Sequence, residues 1–159
     1  KYLQELDNEQ LAQLFKPVLE ANGISGYSDQ YITRVVSMVK DRINFVRDLW
    51  DQAQYFFVAP TQYEAKAVKK RWKEDTPQLL NSLIDHLNTL DDFSCAAAEA
   101  SVIGWITDNG YHMGNVMNAF RLTVVGDCKG PHMFDITELL GKDETIARVR
   151  RGIENISVE

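Results

Sequence analysis

Residues 113–141 read MGNVMNAFRLTVVGDCKGPHMFDITELLG, from Met113 to Gly141, and how this stretch folds decides the architecture. Its middle, Leu122-Thr123-Val124-Val125, favours a strand by residue preference. That preference is a weak guide, and an isolated strand finds no partner elsewhere in the chain. The run is therefore read as the end of a buried helix that carries one arginine, Arg121. A polar turn follows, Gly126 to Pro131. Gly126 and Gly130 supply backbone angles closed to other residues. Pro131 suits the first turn of a helix. The chain then re-enters an apolar helix through His132, Met133 and Phe134, and Gly141 stops it. An arginine beside such a turn is poised to meet something planar or anionic.

The flanks read the same way. Asp7 or Asn8 caps a helix whose apolar face is Leu11, Leu14, Phe15, Val18 and Leu19, with Pro17 expected to bend it. Ser28 caps a second helix, with Tyr31, Ile32, Val35, Val36 and Val39 on one face. Asn44 is the expected cap of a third, running from Val46 to Phe57, so Arg42 falls at the junction between two helices. Tyr63–Trp72 is a short helix with a basic face. Thr76-Pro77 opens a helix with a leucine-rich stripe, Leu79 to Leu90. Residues 94–108 form an alanine-rich helix. Gly104 inside it is expected to mark close packing, since glycine there costs about 1 kcal/mol against alanine. The last helix starts near Asp143 and buries Ile146, Val149, Ile153 and Ile156. Arg148, Arg150 and Arg151 lie in the half that the helix dipole favours. The fold class expected is all-α, two small helical subdomains packed on each other, residues 1–91 and 92–159, with the seam at Leu90–Phe93.

Composition sets limits. The 159 residues carry 17 Lys+Arg against 23 Asp+Glu, a net charge of −6, and 45% are hydrophobic. A core can be buried, and the acidic balance argues against a purely electrostatic nucleic-acid binder while leaving room for a local arginine-lined patch. No segment is apolar and long enough to span a membrane. Cys95 and Cys128 read as reduced thiols of a cytosolic protein. The chain begins at Lys1 without a methionine and is expected to be a piece of something longer.

The residues alone give no catalytic site and no metal site. His86, His112 and His132 are isolated, and no pair has zinc-ligand spacing. There is no phosphate loop, no dinucleotide glycine fingerprint and no nucleophile elbow. Cys128 beside Lys129 is a lone thiol without a partnered base.

Two series add to this reading. Ala119-Phe120-Arg121-Leu122 … Gly126 … Pro131 … Phe134-Asp135-Ile136 … Leu140-Gly141-Lys142 resembles the C-terminal, anticodon-binding part of bacterial-type glutamyl-tRNA synthetases, with its "P-L-R … G … P-x-L-F-[DE]-I … L-L-G-K" pattern. Arg42 to Leu49, with Ala53-Gln54-Tyr55-Phe56-Phe57, is similar to that family's "R-x-x-x-x-x-[DE]-[FL] … A-x-Y-F-[FY]". Ala119 departs from the usual proline and His132 from a small residue.

The resemblance implies an anticodon-recognition piece of a class I enzyme that joins glutamate to its tRNA using ATP. The HIGH-like and KMSKS-like motifs of the catalytic domain are absent from this chain, so it should be inactive alone and need no cofactor; ATP and Mg would belong to the parent enzyme's catalytic domain. The implied partners are the anticodon loop of tRNA-Glu and the catalytic domain of the same chain, in a cytoplasmic and monomeric protein. The implied tRNA-contacting residues are Arg42, which reads the third anticodon base, a cytosine, and Arg121, with Pro131 and Met133 offering apolar groups at the turn. The alternative reading is a helical protein-interaction module that keeps the fold without binding tRNA.

Overall fold

The computed structural model describes residues 5–157, and among them every regular element is helical. The chain divides into two compact units, residues 1–58 and 59–159.

The described residues of the first unit include the helices α1 (Asn8–Ala21), α2 (Asp29–Val39) and α3 (Asp48–Ala53). Asp7 starts α1 with a capping box: its carboxylate accepts from the Gln10 amide at 2.7 Å, and Gln10 Oε1 accepts from the Asp7 amide at 3.0 Å. Such a cap stabilises a helix by about 1 kcal/mol. The helix continues through Pro17. Ser28 caps α2, its hydroxyl accepting from Tyr31 N–H at 3.1 Å. Leu11, Phe15, Val35, Val36, Val39, Leu49 and Phe56 meet in the core. Leu14 does not join them: it is 45% exposed although its spacing puts it at the edge of the α1 stripe. A 3-10 turn, Lys40–Arg42, follows α2 directly, and a second one, Gln54–Phe56, follows α3.

The second unit holds α4 (Ala65–Arg71), α5 (Thr76–Asn88), α6 (Cys95–Asp108), α7 (Met113–Val125), α8 (Met133–Leu140) and α9 (Lys142–Asn155). Residues 122–125 are helical, as the missing strand partner required. The last helix organises this unit by packing on α5, α7 and α8. Two of its basic residues tie it down. Lys142 Nζ donates to the carbonyls of Asn88 (3.3 Å) and Leu90 (2.9 Å), at the open end of α5. Arg148 is 3% exposed; its guanidinium donates to the Val124 carbonyl at 2.9 Å and to Glu144 Oε2 at 2.8 Å. By sequence Arg148 lies in the half of α9 that the helix dipole favours. In the fold it serves the C-terminus of α7, where the last carbonyls have no partner within their own helix.

These contacts put Leu90–Phe93 inside the second unit, whereas the compact units part at Val58 and Ala59. The helices on either side of that polar stretch, α5 and α6, touch each other and both pack on α7 within one unit, which local composition does not register.

Glycines divide just as sharply. A Cβ on Gly152 would lie 2.4 Å from Thr123 Cγ2, so α7 and α9 touch there at backbone range. A Cβ on Gly104 meets nothing within 4 Å, so the close packing expected around it belongs to Gly152 instead.

Candidate nucleic-acid interface

Arg42 stands at the end of the Lys40–Arg42 turn, exposed, directly before buried Ile43 (2% exposed). Helix α2 thus tightens into one 3-10 turn and then extends, which leaves the arginine off both helical faces. The loop behind it is braced. Asp48 Oδ2 accepts from the amides of Asn44 (3.3 Å) and Phe45 (3.0 Å), and Asp48 N–H donates to the Phe45 carbonyl at 2.9 Å. Asp48, not Asn44, supplies the side chain that orders this helix start. The brace holds Phe45 outward, 54% exposed, with the Arg47 guanidinium 4.5 Å from its ring centroid.

In the second unit Arg121 is half-buried on α7, one turn beyond Asn118. The turn after α7 packs against this end of the helix: Cys128 Sγ lies 3.6 Å from the Asn118 carbonyl, to which it donates. Burial pushes the Cys128 thiol up, while the Arg71 and Arg121 guanidiniums act to lower it. Two cations therefore flank this turn, and Arg71 comes from the basic last turn of α4. Because the thiol stays protonated, Cys128 is not an activated nucleophile.

Gly126 makes the turn. Its φ is +87°, and a Cβ there would sit 3.0 Å from both the Gln62 carbonyl and Pro60 Cβ. Its own carbonyl accepts from Glu64 N–H at 2.9 Å, locking the turn to the start of α4. Pro131 and Met133 point inward: Pro131 is buried and Met133 is 2% exposed. The turn was expected to show apolar groups; it shows His132 instead. His132 Nε2 lies 3.4 Å from Glu99 Oε1 on α6.

Folding also assembles a group that spacing hid. Cys95, Glu99 and His132 bring ligand-type atoms within 4.8 Å of one another. Burial, helped by a hydrogen bond to Asp135 and by the charges of Asp135, Glu99 and Glu138, pushes the Cys95 thiol up to about 11. At neutral pH it keeps its proton, and the corner is held by the His132–Glu99 pair and by Glu138, which accepts from Cys95 N–H at 3.3 Å.

Arg42 lies in the first unit; Arg121, Pro131 and Met133 lie in the second. Residues 10–153 match a family model described as an anticodon binding domain. The chain belongs to the anticodon binding domain family. Its curated relatives include glutamate–tRNA ligases of Phocaeicola vulgatus, 53% identical over 154 residues, and Porphyromonas gingivalis, 51% identical over 154 residues. Each match covers 97% of this chain and 30% of the relative, so the chain spans about a third of their length. A crystal structure of a glutamate tRNA ligase from Elizabethkingia meningosepticum, in complex with its amino acid, superposes with a TM-score of 0.90 at 35% identity. It covers 98% of this chain and 31% of that one.

The described residues of this anticodon-binding domain include two cysteines, Cys95 and Cys128. Its two described thiols are both held protonated by their surroundings, and no described helix is long and apolar enough to cross a membrane. On the domain's described surface, exposed Arg42 and Phe45, with Arg47 over the Phe45 ring, stand on the loop that Asp48 braces.

Proposed function

We propose that this chain recognises the anticodon loop of tRNA-Glu on behalf of a cytoplasmic glutamate–tRNA ligase. The catalytic domain of that ligase, in the same polypeptide, joins glutamate to the tRNA with ATP and magnesium. The observation that carries the reading is Arg42, exposed at the end of a one-turn 3-10 helix within a matched anticodon-binding domain.

The chemistry is a matter of donors and acceptors. An unstacked cytosine offers O2 and N3 as acceptors, which suit the donor fork of a guanidinium. Guanine in the same place turns N–H donors toward Arg42, and unpaired donors facing each other cost about 1–3 kcal/mol. Arg121 stacks on a loop base or meets a phosphate, with Arg71 adding to the local positive charge. Pro131 and Met133 act from beneath, shaping the turn from buried positions. With a net charge of −6, the domain relies on these few cations rather than on a broad basic face, so the salt dependence of binding should be shallow.

The test is binding of a glutamate-tRNA anticodon stem-loop against one whose third anticodon base is guanine, at low and moderate salt, with wild-type protein and Arg42→Gln. Preference for the cytosine form, lost in the variant, is expected. Equal binding of both loops by wild type would refute base reading by Arg42. No binding of either would refute the RNA role and favour the helical interaction module.

A further inference from the structure

Phe45 is the most exposed large apolar side chain among the described residues, ahead of Tyr27 at 38% and Tyr111 at 36%. Fully burying a phenylalanine is worth about 1.5–3 kcal/mol, yet this ring stays 54% exposed while Ile43, two residues earlier, is 2% exposed. The exposure is not that of a slack loop. Both backbone polar groups of Phe45 are bound to Asp48, its N–H by the carboxylate at 3.0 Å and its C=O by the amide at 2.9 Å. Arg47 lies over the ring, 4.5 Å from the centroid, a cation–π contact that steadies the ring and adds positive charge beside it. Arg42 is three residues away in the same loop, hence within about 10 Å along the chain. Neighbouring bases of a strand are separated by about 3.4 Å, so a base next to the one at Arg42 comes within reach of the ring.

We propose that Phe45, held by Asp48 and flanked by Arg47, is a stacking platform for an unpaired nucleobase of the anticodon loop, adjoining the base that Arg42 meets. This rests on the anticodon-binding reading above. Every base has a π-face, so the platform contributes affinity and position without choosing sequence, while Arg42 does the choosing.

The experiment titrates the glutamate-tRNA anticodon stem-loop, carrying 2-aminopurine in turn at each loop position, with wild-type chain, Phe45→Leu and Phe45→Trp. Circular dichroism verifies that each variant is folded, as expected for an exposed position. Leucine keeps the apolar bulk and removes the π-face. Phe45→Leu should weaken binding about 5- to 100-fold and abolish the fluorescence quench at one loop position. Phe45→Trp should retain both, and all three proteins should keep the same preference for cytosine over guanine at the third anticodon base. Tight wild-type binding with Phe45→Leu within twofold, or with no quenched position, would overturn the platform and leave the anticodon reading standing. Failure of wild type to bind any stem-loop at low salt would overturn both.

Discussion

Replacing Gly152 by alanine tests the joint that holds the second unit together. The new Cβ would lie 2.4 Å from Thr123 Cγ2 and 2.8 Å from Thr123 Cβ, about 1 Å short of ordinary contact. Threonine on a helix has little χ1 freedom, and here its hydroxyl also donates to the Phe120 carbonyl at 2.7 Å. The side chain cannot swing aside, so α9 must move off α7. That displacement would strain the Arg148 hydrogen bond to Val124, 2.9 Å long and buried. Overpacking with atoms about 1 Å too close falls in the upper part of the usual range, about 2–3 kcal/mol. Alanine's better helix propensity returns about 1 kcal/mol. The net loss should be about 1–2 kcal/mol, or roughly 5–15 °C in the melting midpoint of a unit this size. Urea and thermal unfolding followed by circular dichroism measure it. Thr123→Ser, which removes the clashing methyl but keeps the hydroxyl, should cost about 1 kcal/mol alone. Combined with Gly152→Ala it should cost less than the sum, a coupling of about 1 kcal/mol. A Gly152→Ala protein as stable as wild type, or strictly additive behaviour, would refute the close approach of the two helices.

The same packing sets other outcomes. Gly104→Ala, in open space, should raise stability by about 0.5–1 kcal/mol in the same melts; destabilisation would mean a neighbour sits against it. Arg148→Ala strands a buried carbonyl and opens a gap, and should cost about 3 kcal/mol. Glu144→Ala, on a 46% exposed partner, should cost under about 1 kcal/mol, and equal losses from the two would refute the carbonyl as the main partner of Arg148. Cys95 should alkylate slowly at neutral pH. Its thiol is pushed up to about 11, so its thiolate fraction grows about tenfold per pH unit throughout pH 8–10. A labelling rate that levels off near pH 9 would contradict that environment.

Much of this molecule could be read along the chain because its signals are local. Apolar spacing marked the helices, Asp7 and Ser28 were legible as caps, and the absence of any partner strand identified residues 122–125 as helical. Arg42 was legible as a residue outside both helical faces, because a charged interruption between two apolar stripes must surface somewhere. The family series around Arg121 and Phe134 was legible too, and the match over residues 10–153 agrees with it.

What tertiary structure decided depends on which distant residues meet. Arg148 looks like any cation on an amphipathic helix until α9 docks and brings it to the end of α7. Gly104 and Gly152 are equivalent in sequence context, each inside a helix, and only packing makes one open and the other indispensable. Pro131 and Met133 were placed at the right turn, but their inward direction follows from how α8 seats on α6 and α9. Cys95 and His132 meet only because two helices cross. The sequence alone determined that the chain is helical, where its helices run and which family it resembles, since helix formation and motif spacing are short-range. Pairing, burial and side-chain direction are long-range properties, and they assigned the outward-facing roles to Arg42, Phe45 and His132 and the inward ones to Arg148, Met133 and Gly152.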